Sequence, residues 1–232
     1  MTEVVEHVAG DDEPHMVIDH EGTETSPVSL ERVLLQLRDQ GATGAHTVLP
    51  VPGDLYGLAG PPAFNAAALE AEEAVVIAGT GTGSTGMGMV PRVTPFGPPG
   101  DQGHMVEWDL MPAAAERSVD SVAEADRQLR ATLVRSSNAL AELDVARWHP
   151  EVADVLTDIR TARAAAPLPH GFSNESQALA AQALRLLAVL DVAFSDDGGA
   201  LDMTEADRRR SALSELATSA RHALVAASYG LD

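Results

Sequence analysis

Two stretches of this chain place groups where chemistry could be done. The first is Gly81-x-Gly83-x-x-Gly86, which follows the β-branched run Ala74–Ala78. Letter for letter it matches a dinucleotide-binding turn, and Glu107 lies near the spacing of the acidic residue that binds the ribose in such sites. That chemistry needs a helix N-terminus to receive the pyrophosphate. Here the chain continues M-G-M-V-P-R-V-T-P, and Pro91 and Pro95 forbid a helix. The expectation is therefore a flexible strand connection. A weaker form survives, in which successive backbone N–H groups of Gly81, Gly83 and Gly86 make an anion nest with Arg92 near it.

The second stretch is His104-Met105-Val106-Glu107-Trp108-Asp109. In a strand, side chains alternate, so Glu107 and Asp109 share a face about 7 Å apart, with His104, Val106 and Trp108 on the other. Two such carboxylates could hold a divalent metal or divide acid and base work. The outer face of a half-buried sheet accounts for the same residues. Asp54 and Tyr56, in a proline-rich loop, would be the groups to complete a site.

Other chemistries are excluded by residue type. The chain has no Cys and no Lys, and all 15 basic residues are Arg. Thiol nucleophiles, disulfides, iron–sulfur clusters and thiolate zinc sites are ruled out. So are Schiff bases, a Walker A loop and any other covalent lysine- or cysteine-bound cofactor. The eight His residues form no H-E-x-x-H motif, and no G-x-S-x-G elbow is present. The residues name no particular cofactor. A formal charge of −20 opposes nucleic acid and anionic membrane as partners and favours a basic one.

The elements that would carry these residues can be read in order. Residues 1–28 hold eight carboxylates and no Arg, which predicts a mobile acidic arm, with Met16-Val17-Ile18 as a short edge strand. Ser29 to Gln40 has apolar residues at helical spacing and Gly41 as its stop. Thr47 to Asp54 is extended and proline-punctuated, suited to an edge strand or a turn. Pro62 opens a second helix through Ala63 to Glu73. Ala74–Ala78, Met87–Val93 and Met105–Leu110 read as three strands.

Composition changes near residue 115. Only three of 14 prolines lie beyond Ala113. Helices are expected from Ser121, from Pro150, from Asn174 and from Thr204. The helix from Asn174 is apolar most of the way round and should be the buried one. No run approaches the roughly 18 apolar residues that cross a bilayer. The N-terminus lacks the apolar region of a signal peptide, so the expected location is cytoplasmic.

The fold class expected is α+β. A small, mostly antiparallel sheet with two short helices and a glycine-rich hairpin fills residues 29–115. An antiparallel bundle of about four helices fills residues 116–232. No residue set has the spacing of an active site. The function that follows is a non-catalytic interaction or regulatory module, with a protein partner or self-association. The alternative is a small-molecule binding protein or enzyme, taking an anion or nucleotide between the glycine-rich loop and the bundle.

Overall fold

A computed structural model of the chain describes residues 14–19, 27–79, 85–98, 102–114, 119–142, 168–195 and 203–229. Most of the expected acidic arm, loop residues 80–84 and the helix expected from Pro150 lie outside these residues. The chain divides into two compact units, one running to Val119 and the other beginning at Asp120.

The first unit is built on six strands: β1 (His15–Asp19), β2 (Val28–Ser29), β3 (Gly44–Val48), β4 (Ala74–Ala78), β5 (Thr85–Phe96) and β6 (Gly103–Ala114). Their order across the sheet is β2-β1-β6-β5-β4-β3. Every pairing is antiparallel except β1 with β6, where Met16 faces Glu107 and Ile18 faces Asp109. Part of the stretch read as an arm is therefore sheet, and Met16–Ile18 is not at the edge, because the two-residue β2 lies outside it. Val17 explains why these residues fold: it is an apolar side chain 2% exposed in the core.

Alternation along the strands divides the sheet into two faces. One carries Val17, Ile77 and Met89; the other carries Val48, Val76, Val90 and Ala113. Helix α1 (Leu30–Asp39) covers the first face with Leu30, Val33, Leu34 and Leu37. Helix α2 (Pro62–Ala71) covers the second with Phe64 and Ala68. Both faces of the sheet thus bury apolar side chains, giving a helix–sheet–helix sandwich.

Local chemistry sets the helix ends. Helix α1 begins after Ser29 and stops at Gly41, whose φ of 100° requires glycine. The Gly41 N–H donates to the Arg38 carbonyl and the Ala42 N–H to that of Leu37, a Schellman closure with Leu37 and Ala42 both buried. Helix α2 has proline in its first turn, and Asn65 Oδ1 accepts a hydrogen bond from the Gly60 N–H at 3.0 Å. It ends at Ala71 because Glu72 turns left-handed, with φ at 60°.

The second unit holds helices α3 (Val122–Glu142), α4 (Asn174–Ser195) and α5 (Met203–Tyr229). These are three helices among the described residues, where about four were expected for the whole half. Helix α5 lies against both others. Ser136 of α3 donates to the Ala212 carbonyl, and Arg209 of α5 donates to the Ala193 carbonyl of α4. These contacts join the early part of α5 to the late parts of α3 and α4, so both run antiparallel to it.

The expectation that α4 is the helix buried all round is corrected. Leu184 and Phe194 of α4 are exposed, whereas α5 buries Ala220, Ala223, Val225, Ala226, Ala227 and Ser228. Small side chains let two neighbours approach α5 closely, and that places it, not the leucine-rich α4, at the centre. The reading of apolar run lengths also needs correction. Helix α4 has an 18-residue stretch of mean hydropathy 1.6, long and apolar enough to cross a membrane, of which 28% is buried.

Candidate functional site

Strand pairing decides what the sequence candidates can do. In the register of β5 and β6, Arg92 faces Glu107 and Val90 faces Asp109. The two carboxylates share a face, and two side chains of β5 reach them diagonally. Arg92 donates from a guanidinium NH2 to Asp109 Oδ2 at 2.7 Å, and Thr94 Oγ1 donates to Glu107 Oε2 at 3.0 Å. Trp108 points to the opposite face, where its indole N–H donates to His15 Nδ1 at 3.0 Å and the rings stack. An arginine on Asp109 balances the charge that a metal ion would otherwise meet. Among the described residues, no three His, Asp or Glu side chains gather closely enough to hold a metal.

The glycine candidates separate. Gly81 and Gly83 lie outside the described residues. Gly86 is buried at the start of β5, and the chain goes on directly as strand, with no helix for a pyrophosphate to sit on. Arg92 lies six residues along the same extended strand from Gly86, about 20 Å away at the rise of a β-strand. Its side chain is engaged with Asp109. Asp54 closes a tight turn: it exchanges backbone hydrogen bonds with Val51, and its Oδ1 accepts from the Tyr56 N–H at 3.2 Å. That is the local bonding by which Asp shapes a turn.

Within the first unit one titratable group is held far from its ordinary state. His46 of β3 is 7% exposed, and burial lowers its pKa to about 4. It is neutral in the folded protein at ordinary pH.

The second unit contains a cleft the sequence reading did not anticipate. It measures about 410 Å³ and lies between the first turns of α3 and the first turns of α4. From α3 come Asp126, Arg127 and Arg130; from α4 come Glu175 and Gln182, with Leu179 in the floor at 3% exposed. Arg130 grips Asp126 with two contacts, Nε to Oδ1 and NH2 to Oδ2, each at 2.9 Å. Among the described residues, Arg127 and Glu175 make neither a hydrogen bond nor an ion pair. A sequence signal existed in each wall, since residues 126 and 130, and 175 and 182, lie on common helix faces. That the two walls face each other depends on both helices packing against α5.

Two family models together match residues 1–225 of the chain. The model for the N-terminal domain of Rv1486c-like proteins matches residues 1–122, and the model for the C-terminal domain matches residues 123–225. The chain belongs to the Rv1486c-like family. The family's domain boundary falls within a few residues of the division between Val119 and Asp120 seen in the fold. No curated protein and no solved structure matches the chain.

Proposed function

We propose that this Rv1486c-like protein is a non-catalytic interaction module of the cytoplasm, and that its helical unit docks a basic partner protein. The observation that carries this reading is a pair of apolar side chains left in solvent at one end of that unit. Phe194 near the end of α4 is 45% exposed, and Met203 at the start of α5 is 83% exposed. The antiparallel run of α4 and α5 brings both to the same end. Large exposed apolar side chains at a common place favour contact with another protein.

Charge selects the kind of partner. Two copies of a chain carrying −20 repel each other, while a partner rich in Lys or Arg is drawn in. The carboxylates best suited to chemistry, Glu107 and Asp109, are held in cross-strand bonds, an arrangement that supports a surface role.

The test is co-purification with a tagged chain in its native cells, with wild-type protein beside Phe194→Asp and Met203→Asp. The expected result is a basic protein retained by the wild type, released by salt and lost from both variants, whose melting stays unchanged. Light scattering that shows a stable dimer, dissociated by the same substitutions, would replace the basic partner with a second copy.

A further inference from the structure

We propose that the cleft between α3 and α4 binds a small zwitterion, a molecule with a carboxylate and an ammonium a few bonds apart and a short apolar body, as in a free amino acid. The charge inventory of the cleft carries the argument. Of its four charged side chains, Arg130 and Asp126 close on each other through two contacts at 2.9 Å. The other two, Arg127 on the α3 wall and Glu175 on the α4 wall, pair with no other side chain among the described residues.

Arg127 finds no acidic partner among the described residues, although Glu175 lines the same cleft. A ligand with one charge only would meet one of these groups and leave the other facing a charge of its own sign. A neutral apolar ligand would cover both without replacing their water, which is costly. A zwitterion meets both.

The chemistry of the lining groups suits such a ligand. The planar guanidinium of Arg127 offers two parallel N–H donors to a carboxylate. Glu175 accepts the N–H bonds of an ammonium. Gln182 presents an amide that bonds no described residue, and Leu179 gives the floor an apolar surface for the body of the ligand. A volume of about 410 Å³ lies within the range of small-molecule sites.

The experiment is a titration of the full chain with each of the protein amino acids at millimolar concentration, followed by calorimetry or by amide NMR. The best ligand is then compared with the carboxylic acid that lacks its ammonium and the amine that lacks its carboxylate. At least one amino acid should bind saturably, and each half-molecule should bind at least about tenfold more weakly. Arg127→Gln should weaken the amino acid and the carboxylic acid; Glu175→Gln should weaken the amino acid and the amine. Both side chains stand in solvent, so the thermal melts of the variants should match the parent. The inference is overturned if no amino acid binds saturably, if the half-molecules bind as well as the whole, or if Arg127→Gln binds as the wild type does.

Discussion

The ring of Phe64 lies directly over Gly88. A Cβ at position 88 would come within 2.7 Å of the ring's Cζ, inside van der Waals contact. Helix α2 can therefore approach β5 only where the strand has no side chain. Gly88→Ala should destabilise the first unit by about 1–3 kcal/mol, the cost of overfilling a packed interior. Urea unfolding gives the value. Phe64→Leu combined with Gly88→Ala should recover part of the loss, and strict additivity of the two would show that the ring and the glycine are not coupled.

His46 predicts a pH dependence whose sign is fixed by burial. Its folded pKa, about 4, is below the 6.5 of the exposed group. Above 6.5 the side chain is neutral in both states and contributes no slope. Below it the unfolded chain takes up a proton that the folded chain refuses, so stability falls as pH drops from 6.5 towards 4. The full difference is worth about 3 kcal/mol. Melting temperature followed from pH 7 to 4, in the wild type and in His46→Gln, measures it. Parallel curves for the two proteins would count against the assignment.

Glu72 offers a gain in stability. It holds a left-handed backbone at the end of α2, where glycine has no steric penalty. Glu72→Gly should stabilise by roughly 0.5–1 kcal/mol. A lower urea midpoint in the variant would mean that the Glu72 side chain makes a compensating contribution.

The helical unit should resist changes of volume in either direction. Leu129 of α3 is fully buried, and Leu129→Ala should cost about 2–5 kcal/mol. Ala220 of α5 is equally buried, and Ala220→Leu should cost about 1–3 kcal/mol because α5 has no room for the larger group. Far-ultraviolet circular dichroism during urea unfolding reads both. An unchanged midpoint for Ala220→Leu would show slack around α5.

What could be read from the sequence was whatever local chemistry decides. Strand β4 has the bounds that its β-branched run implies, Ala74–Ala78, and α1 stops where Gly41 says it must. The prolines of β5 forbade a helix after the glycine run, and a strand is found there. Glu107 and Asp109 share a face, as alternation requires. What escaped were relationships between distant residues. Nothing local in Met16–Ile18 announces a parallel partner in β6. Nothing in the composition of α4 announces that alanine-rich α5 takes the central place. The cleft arises from two helix faces that become neighbours through a third helix, and periodicity within one helix carries no record of that.

The parallel bond of β1 to β6 has a consequence for how the protein is made. His15 pairs beside Val106, some ninety positions later in synthesis. β1 is made well before its partner β6 and must wait for it, while the meander of β3, β4, β5 and β6 can assemble as it emerges. Closing so long a loop is a late event for a nascent chain, so the N-terminal segment should join a sheet already formed.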